Sequence, residues 1–304
     1  MTPNEQRQSR SEQRDAARAK ARALREASAR KEKQKSVLLK LSLGVGLTAV
    51  VALIVVAVVS SMAPAPAPSN LLFDNGIKIG AINGKIAAFT DTQTPTPNPA
   101  VTSGKIPNIQ VYLDYQCPFC GAFDSGVAGE KDKFPGNMDQ IGQWVKDGKA
   151  TLEIHPISFL DGRATPNTYS SRAANAALCV ATYSPDQYFD FNRLLFDNQP
   201  AEGTAGPENP ALVADTKSVG VQNESKIADC INNKTYGKWL SNTTASVLNP
   251  SYTVPGTKIV VNSTPTILVN GHQYLPASNG TQTAMELLGD PATFAAWFMQ
   301  FAAN

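Results

Sequence analysis

Three kinds of hydrophobic pattern follow one another along the chain. A nearly continuous apolar run extends from Val37 to Val59, broken by Lys40, Ser42 and a few small residues, and no charged residue lies between Lys40 and Asp74. About 20 consecutive apolar residues cross a bilayer core, so this run predicts a transmembrane anchor at residues 37–61. Short apolar runs typical of strands, then stretches with helical spacing, follow the anchor, and this order predicts an α/β fold.

A Pro-rich linker with a small β-hairpin is expected over residues 62–100. Residues 63–68 alternate Ala and Pro, which favours a stiff, extended spacer. Within residues 71–90, Asp74-Asn75-Gly76 and Asn83-Gly84 are turn signals between apolar runs. A second Pro/Thr-rich stretch, residues 92–99, separates this hairpin from the main domain.

The main domain is expected to span residues 101–304, with a helical insertion at about 167–247. Its first strand, Ile109–Tyr115, leads into a helix from Pro118 to about Phe134. The remaining predicted elements are a strand at residues 151–155, a capping box at Ser184-Pro185-Asp186-Gln187, strands at 258–261 and 266–269 with a turn at Asn270-Gly271, and a helix capped by Asp290.

Charge is distributed unevenly and predicts how the chain lies in the membrane. Residues 1–40 carry 12 Lys and Arg against five Asp and Glu, while the whole chain has a net charge of +2. The positive-inside rule therefore makes residues 1–36 a basic cytosolic tail and exports the rest from a single-pass cell-membrane anchor. A cleaved signal peptide is the alternative to the anchor, and it also exports the domain. The mildly acidic body does not favour nucleic acid binding.

The candidate chemistry lies at Cys117-Pro118-Phe119-Cys120, directly after the first strand. Two cysteines with this spacing can switch between dithiol and disulfide, and a thiol at a helix N-terminus favours its anion. We therefore expect Cys117 to be the nucleophile and Cys120 to be the resolving thiol. One alternative for the motif is an inert disulfide, and another is half of a zinc site. The two histidines, His155 and His272, lack the spacing of zinc ligands, so no metal is expected.

The other two cysteines, Cys179 and Cys230, predict a structural disulfide. Four cysteines allow three pairings, and the short spacing of Cys117 and Cys120 favours the division that leaves these two together. Their bond closes a long loop, which the chain-entropy model values at about 4 kcal/mol. A redox relay is the alternative role for the pair.

The main domain resembles the DsbA-like branch of the thioredoxin superfamily. The residues that carry this resemblance are Asp114-Tyr115-Gln116-Cys117-Pro118-Phe119-Cys120 after a strand, the helical insertion, and Ser263-Thr264-Pro265-Thr266 late in the chain. The resemblance implies that Pro265 is a cis-proline facing the cysteines and that the Thr264 backbone pairs with an extended client. Phe119 stands where strong oxidants of the branch often have His, so we expect a less acidic Cys117 and a milder oxidant.

The resemblance implies an extracytoplasmic thiol–disulfide oxidoreductase, most directly an oxidase that introduces disulfides into exported client proteins. Such an enzyme needs no cofactor beyond the Cys117–Cys120 disulfide. A membrane quinone-linked partner, DsbB-like or vitamin-K-epoxide-reductase-like, would reoxidise it. The alternatives are an isomerase or reductase fed by a membrane electron donor, and a non-catalytic, membrane-tethered binding module with the same fold.

Overall fold

A computed structural model describes residues 14–15, 18–22, 25–26, 64–71, 74–82, 84–90, 106–162 and 168–302. The predicted anchor and the Pro/Thr-rich stretch at 92–99 lie outside the described residues. Within the ranges described, no helix has both the length and the apolar character that a bilayer crossing needs. The described tail residues 14–15, 18–22 and 25–26 are helical and belong to a unit that ends at Pro64. The fold below is that of the second unit, which begins at Ala65.

The described part of the second unit is built on a mixed sheet. Its order is β2-β1-β4-β3-β5-β6. Strands β3 and β4 are parallel, and every other neighbouring pair is antiparallel. The strands are β1 (Ile77–Ile82), β2 (Lys85–Ala88), β3 (Asn108–Leu113), β4 (Thr151–Pro156), β5 (Thr266–Val269) and β6 (His272–Tyr274).

A hairpin forms within residues 71–90, but its strands flank the predicted turn at residues 83–84 and not the one at Asp74-Asn75-Gly76, where only an isolated bridge joins Leu71 to Ile77. It is part of the main sheet and not of a separate linker. Strands β1 and β2 pair antiparallel around a turn that contains Gly84, and β1 also pairs with β4. The side chains of Ile77 and Ile79 are fully buried in the main hydrophobic core. This apolar burial draws the hairpin into the fold, so the placement of the domain start at residue 101 was too late.

Helices cover the sheet and form the insertion. In chain order they are α1 (Pro118–Ser125), α2 (Met138–Lys146), α3 (Tyr169–Tyr183), α4 (Tyr188–Asp197), α5 (Asn209–Ser218), α6 (Glu224–Asn232), α7 (Gly237–Val247), α8 (Ala284–Gly289) and α9 (Pro291–Phe301). The predicted helical insertion thus corresponds to α3–α7. The expected cap of the last helix is present, since Asp290 Oδ1 accepts a hydrogen bond from Ala292 N at 3.0 Å.

The first helix is shorter than its sequence predicts. It ends at Ser125 because Gly126 adopts a φ of +99°, and a Cβ there would meet the Phe134 carbonyl oxygen at 2.4 Å. The chain then makes turns before α2, a helix that the sequence analysis missed.

Two further local predictions were wrong. Residues 258–261 are irregular and form no strand. Ser184 caps no helix N-terminus with its side chain; its hydroxyl donates to Gln187 Oε1 at 2.5 Å, and residues 185–187 form a short 3₁₀ turn before α4.

Candidate active site

The two motif cysteines lie where β3 gives way to α1. Cys117 is the N-cap residue of α1, and Pro118 occupies the first turn, where its missing N–H costs no helical hydrogen bond. Cys117 is 6% exposed and Cys120 is 2% exposed, and both are free thiols. Phe119, between them, is 41% exposed and presents an apolar surface next to the reactive sulfur.

Cys117 faces a loop that is distant in sequence. Its thiol donates a hydrogen bond to the Thr264 carbonyl oxygen over 3.1 Å. The peptide bond between Thr264 and Pro265 is cis, as the resemblance implies. Pairing of β3 with β5 brings the two segments together, because Tyr112 lies opposite Thr266 in the register.

The pKa values of the two thiols are shifted in opposite directions. The pKa of Cys117 is lowered to about 7, first by hydrogen bonding from the Cys120 thiol and also by Thr264 and by the backbone N–H groups of Cys120 and Phe119, while burial opposes the shift. Those two N–H groups belong to the first turn of α1, where helix donors have no intrahelical acceptor. Burial raises the pKa of Cys120 well above the ordinary thiol value, and the neighbouring Cys117 adds to this.

This difference assigns the chemical roles. The thiolate is the form that attacks a disulfide, so Cys117 is the attacking sulfur near neutral pH. Cys120 stays protonated and buried behind it as the resolving thiol. Among the described residues, no cationic side chain is a cause of the lowered pKa of Cys117.

A buried carboxyl group fixes the backbone that carries Cys117. Asp114 is fully buried and accepts hydrogen bonds from Gln116 N at 2.8 Å, Leu160 N at 2.9 Å and the Ser170 hydroxyl at 2.7 Å. Burial raises the pKa of its carboxyl. One side chain therefore joins the end of β3, the loop after β4 and the start of α3. Asp114 belongs to the sequence motif, but this role for its side chain was not predicted.

Gln199, at the end of the α4 segment, holds the motif from the other side. Its Nε2 donates to the carbonyl oxygens of Tyr115 at 3.1 Å and Cys117 at 3.0 Å. A Cβ on Gly121 would meet Gln199 Oε1 at 2.2 Å, so a glycine after Cys120 makes room for this contact. This role of Gln199 was not predicted, because the neighbouring sequence gives no sign of a contact with the cysteine motif.

A second buried acid lies one helical turn beyond Cys120. Asp124 accepts hydrogen bonds from Asn192 Nδ2 at 3.0 Å and the Ser125 hydroxyl at 3.1 Å, and Tyr115 donates to Asn192 Oδ1 at 2.9 Å. Burial raises the pKa of Asp124 to about 7. In the sequence, Asp124 stands out only as an acidic residue in an otherwise apolar predicted helix.

The other two cysteines lie in the helical insertion. Cys179 on α3 and Cys230 on α6 form a disulfide with a Cα–Cα distance of 5.9 Å. Both are buried, at 0% and 4% exposure. Among the contacts described, neither approaches Cys117 or Cys120, so the bond holds two insertion helices together.

Comparison with known proteins agrees with this arrangement. The family model described as Thioredoxin matches residues 105–287. No curated protein matches the chain. Two solved structures from Mycobacterium tuberculosis are similar at 25% identity. They are a reduced disulfide bond oxidoreductase, DsbG, with a TM-score of 0.52 over 76% of this chain and 88% of that one, and reduced DsbA, with a TM-score of 0.51 over 75% and 93%.

The family match covers more than half of the chain, and the dithiol at a helix N-terminus facing a cis-proline loop has the geometry that disulfide exchange requires. The chain therefore belongs to the thioredoxin family, as a DsbA-like thiol–disulfide oxidoreductase.

Proposed function

We propose that this protein is an extracytoplasmic oxidase that introduces disulfides into exported client proteins. The observation that carries the proposal is the free dithiol at the start of α1, with the Cys117 thiol facing the cis-Pro265 loop. The lowered pKa of Cys117, about 7, makes its thiolate a good leaving group when a client thiolate resolves a mixed disulfide. The predicted export of the domain supports the oxidase direction, because disulfides form and persist in oxidising compartments.

The exchange proceeds in two balanced steps. A client thiolate attacks Cys117 of the Cys117–Cys120 disulfide, a client–Cys117 bond forms, and Cys120 leaves and takes up a proton. A second client thiolate then attacks the client sulfur of this mixed disulfide and releases Cys117 as a thiolate. The client gains one disulfide, and its two electrons remain on the dithiol of the enzyme.

Clients of this oxidase are reduced or unfolded exported chains. Phe119 supports this, because its 41% exposed ring offers apolar contact beside the sulfur without selecting a particular sequence. The Thr264 backbone is the partner that we propose for an extended client segment.

The location and the electron acceptor belong to the same proposal. The apolar run at 37–61, with a basic flank on its N-terminal side, supports a single-pass anchor in the cell membrane with the catalytic domain outside. The Cys179–Cys230 bond supports an oxidising compartment, because such bonds persist outside the cytosol. A DsbB-like or vitamin-K-epoxide-reductase-like membrane partner would pass the electrons to quinone.

The reduction potential of the purified protein tests the direction. We expect equilibration with glutathione to give a value between about −180 and −120 mV, the potentials of protein disulfide isomerase and DsbA, with rapid oxidation of a reduced client. A value near −270 mV with efficient insulin reduction would instead assign the isomerase or reductase alternative. Cys117→Ser is the inactive control. Cys120→Ser should trap a mixed disulfide with an oxidised client, because its Cys117 thiolate attacks the client disulfide, releases one client thiolate and has no resolving thiol behind it.

A further inference from the structure

Three titratable side chains that disulfide exchange does not use meet on one face of the sheet. Glu153 and His155 are two residues apart on β4, so they point to the same face. Asp74 lies just before β1, the strand that pairs with β4. One donor atom from each side chain lies within 4.8 Å of the others, and all three residues are buried.

His155 directs an unsatisfied nitrogen into this cluster. Its side chain is 3% exposed, and its Nε2 lies 3.8 Å from Asp74 Oδ2 and 3.8 Å from Glu153 Oε2. These distances are too long for hydrogen bonds, and Nε2 has no other hydrogen-bond partner in the part of the chain that the structure describes. Buried polar atoms are nearly always paired, so this nitrogen points to an occupant that bridges it to the two carboxylates.

Neighbouring residues hold the three donors in place. A Cβ at Gly76 would meet the His155 ring at 2.6 Å, so only glycine lets the imidazole lie this close to the backbone. On its other side the ring stacks on Tyr112, with centroids 4.2 Å apart. Gln110 Nε2 donates to Glu153 Oε2 at 2.8 Å and to Asp74 Oδ2 at 3.4 Å, which orients both carboxylates. Such outer contacts are typical of built metal sites.

The lysine opposite the cluster, Lys78, forms no ion pair with it among the described residues, although burial lowers the pKa of Lys78 and the charge of Glu153 opposes that shift. Lys78 lies opposite Glu153 in the β1–β4 register. Its Nζ, however, lies over the Phe89 ring at 5.6 Å from the centroid. The two carboxylates therefore leave negative charge for a bound ion.

We propose that Asp74, Glu153 and His155 bind one divalent transition-metal ion, for which Zn²⁺ is the best match. Zinc takes imidazole nitrogen and carboxylate oxygen at about 2.0–2.2 Å in tetrahedral geometry, which places neighbouring donors about 3.4 Å apart. The two 3.8 Å separations from Nε2 reach this spacing when each side chain moves by a few tenths of an ångström. Ca²⁺ prefers a shell of oxygen donors and is disfavoured by the imidazole. Such an ion links the start of β1 to β4 and fastens the N-terminal hairpin to the sheet.

Metal binding to the full-length, detergent-solubilised chain tests this site. A Cys117→Ser/Cys120→Ser background removes the thiols as competing ligands. After treatment with chelator, ZnCl₂ is titrated by calorimetry, and the retained metal is measured by mass spectrometry. We expect one Zn²⁺ per chain, weakened at least about tenfold by His155→Gln, since loss of even an outer-shell contact costs 10–100-fold.

The chain offers a matched control, because its other histidine, His272, is exposed on β6. His272→Gln should bind zinc normally, and zinc should raise the thermal midpoint of this variant but not that of His155→Gln. If His155→Gln does not fold, as judged by near-ultraviolet circular dichroism, the isosteric variants Asp74→Asn and Glu153→Gln replace it with the same expected loss.

Three results would overturn the proposal. They are no zinc retained by the folded background protein, equal zinc binding in His155→Gln and His272→Gln, or displacement of zinc by Ca²⁺ at similar concentration.

Discussion

The Cys117 thiol and the Thr264 carbonyl oxygen are joined by a 3.1 Å hydrogen bond across 147 positions of sequence. This contact places the reactive sulfur against the cis-Pro265 loop, and the start of α1 lies behind it. The sulfur is therefore held between two sets of backbone groups that belong to distant parts of the chain. The pKa of Cys117 is lowered by the Cys120 thiol, by the Thr264 side chain and by the first-turn N–H groups of α1.

The first prediction concerns the Thr264 side chain. Its buried hydroxyl has no hydrogen-bond partner among the described residues while Cys117 is a thiol, so it is available to donate to the Cys117 thiolate. The Thr264 side chain accordingly contributes to the lowered pKa of Cys117. Thr264→Val should raise that pKa by about one unit, since a hydrogen bond to a charged group is worth about 1.5–3 kcal/mol. Thiolate absorbance at 240 nm and the pH profile of Cys117 alkylation measure the change.

The matched control for Thr264→Val is Thr216→Val, which removes a buried hydroxyl from α5 that bonds within its own helix. It should leave the pKa of Cys117 unchanged. An unchanged pKa in Thr264→Val as well would show that the backbone groups alone stabilise the thiolate.

The second prediction concerns pH and the buried Asp124. Its pKa is raised from 3.8 to about 7, mainly by burial. The folded state therefore favours the neutral acid, and this stabilisation is complete below pH 4 and lost as the pH rises toward 7. We expect the free energy of unfolding of the oxidised protein to fall by about 2–3 kcal/mol between pH 5 and 7 from this group, and Asp124→Asn should abolish that fall.

Urea denaturation at both pH values measures this effect, and the oxidised protein is used so that Cys117 does not titrate. Asp147→Asn changes an exposed acid and should keep the wild-type pH dependence. Persistence of the full slope in Asp124→Asn would assign the pH dependence to other groups.

The third prediction concerns the insertion disulfide. Replacing Cys179 and Cys230 together with Ser should lower the free energy of unfolding by about 4 kcal/mol, because the cross-link spans 51 positions. Cys117 alkylation should keep its rate and pH profile. Loss of client oxidation by a folded double variant would instead support a redox relay through this pair.

The fourth prediction concerns the N-terminal hairpin. Ile79 is fully buried on β1, so Ile79→Ala should destabilise the protein by about 2–5 kcal/mol. Ile82→Ala, at the half-buried end of the same strand, should cost less than about 1.5 kcal/mol. If both variants lower the urea midpoint by the same small amount, the hairpin does not pack into the core of the sheet.

The sequence alone determined the features that depend on neighbouring residues. A strand that leads into Cys117-Pro118-Phe119-Cys120 predicted a thiol at the start of a helix. Both signals, the spacing of apolar residues and the residues that begin a helix, depend only on positions close together in sequence. The turn at Asn270-Gly271 and the capped helix after Asp290 were predicted for the same reason. The spacing of the cysteines also predicted which pair forms the insertion disulfide.

Only the tertiary structure decided the features that depend on contacts between distant segments. Asp114, Gln199 and Asp124 are polar residues whose roles arise from burial and from partners far along the chain, and no local pattern records either. The hairpin joins the sheet because β1 pairs with β4, which lies beyond a Pro/Thr-rich stretch that resembles a domain linker. The grouping of Asp74 with Glu153 and His155 follows from that same pairing, since hydrogen bonding between strands converts separation in sequence into contact in space.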